Sequence, residues 1–209
     1  MPPFCCSSPA IAICFPPGTL VTSRTRGEIE IQELTRGEEI LTLDAKNGAP
    51  KWTEFYTWTH KDANIMADFV VLIVSDGKEL LISNDHQLFV AGEQGKLPIA
   101  KKAGDVKIGE ELLLADPDSG HVKRMEVVEI SVTELRGVYA PLTMSGTFLA
   151  NGILVGCYLG GAHKEAHLSA APLRAWYRLK RRGGGGIKQD KKDPSEGRWS
   201  FLHRPVMAN

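Results

Sequence analysis

A segment of the chain recurs 72 residues later, and this repeat constrains the fold more than any single residue does. Seven positions are identical at that offset, from Gly37 and Gly109 at the start to Glu54 and Glu126 at the end. Each copy is typical of a strand, an Asp/Gly-rich turn and a second strand. The predicted strands of the two copies are Glu39–Leu43, Trp52–Thr57, Glu111–Ala115 and Val122–Ile130. One hairpin cannot bury its own apolar face, so two copies predict an all-β body with two pseudo-two-fold related halves.

Further β-branched and alternating runs between Gly18 and about Cys157 predict more strands, with turn residues between them. These runs include Thr19–Ser23, Glu28–Gln32, Phe69–Val74, Leu80–Ser83, Gln87–Ala91 and Phe148–Val155. Beyond Gly160 the character changes, and His163–Lys180 is predicted to form an amphipathic helix. From Gly183 onward, a glycine run followed by charged and proline-containing sequence predicts disorder.

The size and charge of the chain limit its organisation and its partners. Its 209 residues suffice for one domain of roughly 150 residues and a tail. No run of 18 apolar residues occurs, so no transmembrane segment is expected. A formal net charge of zero argues against a nucleic-acid partner, although the charges are unevenly distributed. Residues 1–157 carry 14 Lys/Arg and 21 Asp/Glu, whereas residues 158–209 carry 11 and 4.

The cysteines and the N-terminus bear on the compartment of the protein. Cys5, Cys6, Cys14 and Cys157 are too few and too scattered for a disulfide framework, and they lack the spacings of a zinc site. No N-terminal stretch has the features of a signal peptide. Either the protein stays inside the cell or the chain belongs to a longer gene product. A secretory or extracellular location would require that a longer precursor supply the signal peptide.

Two places in the chain carry residues suited to nucleophilic chemistry. Cys14 stands at the head of the β body, and Ser83 and His86 stand at the end of a predicted apolar strand. A lone cysteine is most often an inert core residue. A cysteine with a distant histidine is also a known nucleophile–base pair, and a hydroxyl three residues before the histidine can orient a substrate amide.

The order of four short segments indicates a family. These segments are Cys14–Pro16, Ser83–His86, Gly137–Thr143 and Gly156–Tyr158. Together with the hairpin repeat they resemble the Hint domain of Hedgehog-type autoprocessing proteins (the Hog module). The resemblance implies a compact disc or horseshoe of two duplicated halves. It also implies a division of the chain into a released segment (1–13), the Hint domain (14–158) and a basic, Gly-rich tail (159–209) in the place of an adduct-recognition region.

The resemblance implies a role for each candidate residue. Cys14 is the nucleophile that attacks the carbonyl of Ile13, and His86 protonates the departing amide nitrogen. Ser83 stands where the family usually has threonine, and its hydroxyl helps to distort the scissile peptide. Cys157 corresponds to the family's cysteine near the end of the module, where an auxiliary role and a structural role are both open. The implied reaction is a single-turnover self-cleavage that requires no metal and no organic cofactor.

Two positions depart from the family pattern. His60 stands where many Hedgehog proteins carry an aspartate that activates the second nucleophile, and Asp62 could substitute only if the strand register shifts. A neutral imidazole can also accept a proton from an attacking hydroxyl at pH 7. Ile13 replaces the usual glycine, and its β-branched side chain is expected to slow both attack and release.

The expected function is therefore cleavage of the chain before Cys14, with the N-terminal segment as the substrate. The resulting thioester would be resolved by water, a thiol or a hydroxyl compound. The resemblance to Hedgehog proteins implies that this hydroxyl compound is a sterol. Protein splicing is not expected, because Gly156 rather than an asparagine precedes Cys157. The alternative hypothesis is a Hint fold that no longer reacts and serves as a binding or structural module.

Overall fold

The computed structural model describes residues 14–44, 48–92, 97–115, 122–159 and 163–182. Within these ranges the protein is mostly antiparallel sheet, which confirms the all-β prediction. Its strands are β1 (Leu20–Ser23), β2 (Gly27–Glu30), β3 (Glu39–Leu43), β4 (Pro50–Val74), β5 (Glu79–Ile82), β6 (His86–Val90), β7 (Ile99–Lys102), β8 (Glu111–Ala115), β9 (Val122–Thr143), β10 (Thr147–Ala150) and β11 (Ile153–Leu159). Short 3₁₀ turns at Ile31–Glu33 and Ala103–Asp105 follow β2 and β7, and helices α1 (His163–Ser169) and α2 (Ala171–Arg182) follow β11.

The sequence repeat corresponds to two hairpins with the same register. In the first, β3 pairs with β4 from Glu39 opposite Glu54; in the second, β8 pairs with β9 from Glu111 opposite Glu126. Gly37 and Gly109, which precede the two hairpins, have φ angles of 92° and 91°. This conformation favours glycine over any residue with a Cβ. The N–H groups of these glycines donate to the carbonyls of Phe55 and Val127 at 2.8 and 2.9 Å. The repeated Gly-Glu-Glu therefore encodes the same turn in both halves.

The two halves are joined by a long antiparallel pair, β4 with β9, whose strands have 25 and 22 residues. The predicted strands Trp52–Thr57 and Phe69–Val74 are both parts of β4. Of the residues between them, 61–68 are all exposed or half-buried. The strand character of this stretch comes from pairing with β9 on both sides of an irregularity between Asp62 and Met66, not from apolar alternation, so the sequence pattern did not reveal it.

One predicted strand, Phe148–Val155, is wrong because it contains a turn. Asn151 and Gly152 have φ angles of 49° and 79°, as a type I′ hairpin turn requires, and they separate β10 from β11. The Asn151 side chain also accepts a hydrogen bond from the N–H of Leu20 at 2.7 Å. The Asn-Gly pair was the available signal for this turn.

The C-terminal helices pack on the sheet. The predicted single helix over His163–Lys180 is divided at Ala170, which is buried, and Pro172 lies in the first turn of α2, where its missing N–H costs little. Tyr177 is buried in the main core and its hydroxyl donates to Glu54 Oε1 at 2.6 Å. The segment from Gly183 onward, predicted to be disordered, lies outside the described residues. Among the described helices, none is long and apolar enough to cross a membrane.

Candidate active site

Cys14 is fully buried beside the central β4–β9 pair. It shares a buried cluster with Phe69, Val138 and Ala140. The next residue, Phe15, exchanges two backbone hydrogen bonds with Tyr139, at 2.9 and 3.0 Å. The backbone on the C-terminal side of Cys14 is therefore fixed against β9, so the Cys14 amide nitrogen occupies a defined position.

Ser83 contacts that nitrogen directly. It follows β5, and its Oγ accepts a hydrogen bond from the N–H of Cys14 at 2.8 Å. In return, the N–H of Ser83 donates to the carbonyl of Cys14 at 3.0 Å. The Cys14 nitrogen belongs to the Ile13–Cys14 peptide bond, so the Ser83 hydroxyl binds the atom that would leave if this bond were cleaved.

His86 is held in the same region and is fully buried. The backbone N–H of His86 donates to the Ser83 carbonyl at 3.0 Å. Its buried ring lies edge-on to the Phe15 ring, with centroids 4.5 Å apart. Its Nε2 is 2.8 Å from the carbonyl oxygen of Gly156. Because a carbonyl can only accept, Nε2 carries the hydrogen and Nδ1 keeps its lone pair, with no hydrogen-bond partner among the described residues. Burial lowers the pKa of His86 to about 4, against an opposing effect of the Gly156 hydrogen bond, so the ring is neutral at pH 7.

A β-bulge brings His60 to the face of the sheet that carries Cys14. Along β4, Trp58 pairs with Pro141 and His60 with Ala140, which leaves Thr59 as the extra residue. Directly opposed residues have Cβ atoms about 4.5–5.5 Å apart, so His60 lies beside Ala140 in the Cys14 cluster. Without the bulge, Thr59 would take this position.

The environment of His60 keeps it neutral. Its Nε2 is buried and has no hydrogen-bond partner among the described residues. Burial lowers the pKa of His60, and the nearby charge of Asp62 opposes this shift. Asp62 pairs with Val138, two residues from Ala140, and therefore shares the face of His60 in the observed register. Its carboxylate accepts a hydrogen bond from the N–H of Asn64 at 2.8 Å.

Cys157 lies in a different environment from Cys14. It is buried in the main core, and its Sγ is 3.5 Å from Thr143 Oγ1. Burial raises the pKa of its thiol to about 11, so it is protonated at pH 7. It is linked to the site through its neighbour Gly156, whose carbonyl accepts from His86.

Gly156 is the site residue whose role sequence reasoning missed. A Cβ at this position would lie 2.6 Å from Gln87 Oε1, so any larger residue would require the buried Gln87 side chain to move. The Gly-Cys-Tyr segment had been noted, but the carbonyl interaction with His86 requires the pairing of β11 with β6, which local patterns do not encode. Within the described ranges, no group of three His, Cys, Asp or Glu residues could hold a metal ion.

Solved structures with the same fold are inteins. The gp41-1 intein superposes with a TM-score of 0.54 at 19% identity, covering 69% of this chain and 98% of the intein. A DnaB intein from Synechocystis sp. PCC 6803 gives a TM-score of 0.58 at 15% identity, covering 69% of this chain and 97% of the intein. The architecture is therefore that of the intein fold class.

Sequence relatives are hedgehog proteins. The Sonic hedgehog protein of Danio rerio is 31% identical over 169 residues, 78% of this chain and 40% of the relative. Protein hedgehog of Drosophila melanogaster is 25% identical over 162 residues, 77% of this chain and 34% of the relative. The chain thus spans about two fifths or less of the relatives' length. The Hint module family model matches residues 7–199, and the chain belongs to the Hint family. Family, relatives and fold together support protein autoprocessing as the class of function.

Proposed function

We propose that this domain cleaves its own chain before Cys14 by an N-to-S acyl shift. The Cys14 sulfur attacks the carbonyl carbon of Ile13, a C–S bond forms, and the Ile13–Cys14 C–N bond breaks. The observation that carries the proposal is the 2.8 Å hydrogen bond between the Cys14 nitrogen and Ser83 Oγ. This hydroxyl satisfies a buried N–H, and that N–H belongs to the one peptide bond that the reaction would break.

His86 is suited to transfer the proton that this shift requires. An amide nitrogen is a poor leaving group until it is protonated, because resonance engages its lone pair. The neutral ring offers Nδ1 as a base, since Nε2 is held by Gly156. Nδ1 takes the proton from the Cys14 thiol and returns it to the amide nitrogen, so the step consumes no external acid.

Ser83 orients the nitrogen for this transfer. Its oxygen holds the N–H of Cys14, so the nitrogen lone pair that develops as the amide pyramidalises is directed away from Ser83. The new proton must therefore arrive from the opposite side. Positioning of this kind supplies roughly 7–11 kcal/mol of a barrier when the reacting atoms are held at attacking distance.

Resolution of the thioester is assigned to a nucleophile activated by His60. Its pKa is lowered by burial, so its neutral ring can take a proton from water or from a hydroxyl compound at pH 7. A thiol needs no such help, because the thiolate is itself the nucleophile. The products are the segment that ends at Ile13 and a domain that begins with Cys14.

Intact-mass spectrometry of the purified chain with added dithiothreitol tests the proposal. Wild type is expected to lose the segment that ends at Ile13, and Cys14→Ala is expected to remain whole under every condition. Cys157→Ala is the matched control, because it removes the other buried thiol of the described residues and should still cleave. Cleavage of Cys14→Ala would assign the cut to another protease. Wild type that stays whole, even with thiol and a longer upstream segment, would favour the inactive binding module.

A further inference from the structure

Helix α2 has an outward face that is apolar. Its inner residue Tyr177 is buried in the core, but Trp176 and Leu179 on its other side are 55% and 72% exposed. Leu168 of α1 is also exposed, at 68%. A surface helix normally places polar residues opposite its buried stripe, so a second apolar stripe requires an explanation.

The outward residues form one narrow stripe. At about 100° per residue, Pro172, Trp176 and Leu179 fall within about 60° of one another around the helix axis. Arg174 and Tyr177 lie on the opposite side, where they contact Tyr158 and Glu54 of the sheet. The stripe therefore points away from the β body.

Basic residues flank the stripe on both sides. Helix α2 contains five Lys/Arg residues and no Asp or Glu. Lys180 Nζ lies 4.8 Å from the centre of the Trp176 ring, and Arg178 is exposed on the other flank of the stripe, whereas Arg181 lies on the sheet side and pairs with Glu54. A helix with tryptophan and leucine on one face and flanking basic residues is typical of helices that lie in the interface of an anionic membrane.

We propose that the outward face of α2 docks on an anionic lipid surface. The apolar side chains of this face, Pro172, Trp176 and Leu179, are too few for the roughly 800 Å² per partner that a stable protein interface buries. They suffice for shallow insertion when basic residues contact lipid phosphates at the same time.

This docking is independent of the proposed self-cleavage. The stripe faces away from the sheet, and neither Trp176 nor Leu179 contributes to the site around Cys14. Membrane contact would set where the domain is held, and the chemistry at Cys14 would proceed with or without it. The two proposals can therefore fail separately.

Flotation of the full chain with lipid vesicles tests the docking. The chain is expected to float with vesicles that contain phosphatidylserine and to stay at the bottom with pure phosphatidylcholine. The double variant Trp176→Ser/Leu179→Ser should bind phosphatidylserine vesicles at least about tenfold more weakly. Arg178→Glu/Lys180→Glu should weaken binding to a similar extent, and added salt should weaken binding of the wild type.

A matched control uses exposed apolar residues elsewhere. Ile108 and Val132 are 64% and 68% exposed, and Ile108→Ser/Val132→Ser should bind vesicles as wild type does. Equal far-ultraviolet circular dichroism of all variants would show that they fold. Wild type that binds neither vesicle, or both equally, would overturn the proposal. A dimer in gel filtration that only Trp176→Ser/Leu179→Ser abolishes would also overturn it, in favour of a second copy of the chain.

Discussion

The two halves of the sheet share their turns but not their chemistry. Glu30 pairs with Leu20 in the first half, and Lys102, 72 residues later, pairs with Gln87 in the second. By this register, His86 occupies in the second half the position that Thr19 occupies in the first. The repeated signature thus encodes the scaffold, and the catalytic candidates lie at positions outside it.

The largest expected effect is on the rate of release, and it should distinguish His86 from its counterpart Thr19. His86→Ala should slow thiol-induced release of the N-terminal segment by roughly 10²–10⁴, because the amide nitrogen then leaves without a positioned proton donor. Thr19→Ala removes a buried hydroxyl that bonds the Pro16 carbonyl, and release should change by less than about fivefold. Rates from intact-mass time courses check both values. Equal slowing by both substitutions would mean that burial, rather than proton transfer, is what His86 provides.

The next largest effect is expected from substitution of His60, which has no histidine counterpart in the second half of the sheet. Val132 lies 72 residues after it and is exposed. His60→Ala should slow release by water or an alcohol by about 10–100-fold, because the second nucleophile loses its base. Release by dithiothreitol should remain near the wild-type rate. If both releases slow equally, His60 acts in the first step or in folding.

The two signature glutamates should differ in their contribution to stability. Glu38 accepts from Arg26, Ser23 and Thr35, and its side chain is 6% exposed; Glu110 accepts from Lys101 and Lys107 and is 32% exposed. On a Cys14→Ala background, Glu38→Gln should lower the free energy of unfolding by about 2 kcal/mol. Glu110→Gln should lower it by less than about 1 kcal/mol. Urea unfolding measures both, and equal losses would contradict the difference in burial.

Glu38 and Glu110 should also contribute differently to the loss of stability at low pH. Burial alone would raise the pKa of Glu38, but hydrogen bonds from Arg26, Ser23 and Thr35 lower it to about 2. A lowered folded-state pKa gives stability that is present above the unfolded value of 4.5 and is lost as pH falls toward 2. Glu38→Gln should therefore flatten the loss of stability between these pH values more than Glu110→Gln does. Urea midpoints across this range provide the measurement.

Sequence patterns predicted the duplicated hairpins well because their signals are local. Gly37 and Gly109 need a positive φ, and the adjoining glutamates bind the turn that these glycines form. The exposed middle of β4 lacked such a signal, since the strand that pairs on both sides of it lies about 70 residues away. The Cys14–Ser83–His86 grouping was predicted from family resemblance. The bulge that turns His60 inward and the Gly156 carbonyl depend on tertiary pairing, which the sequence alone does not show.

The most direct measurement identifies the chemical group on Ile13 after release. Purified precursor would be treated with hydroxylamine, and the released segment analysed by mass spectrometry. A thioester at Cys14 predicts a hydroxamate on the Ile13 carboxyl end, absent from Cys14→Ala and formed more slowly in Ser83→Ala, which loses the hydroxyl on the leaving nitrogen. A released segment that carries only a free carboxylate in hydroxylamine would show hydrolysis without a thioester and would contradict the account.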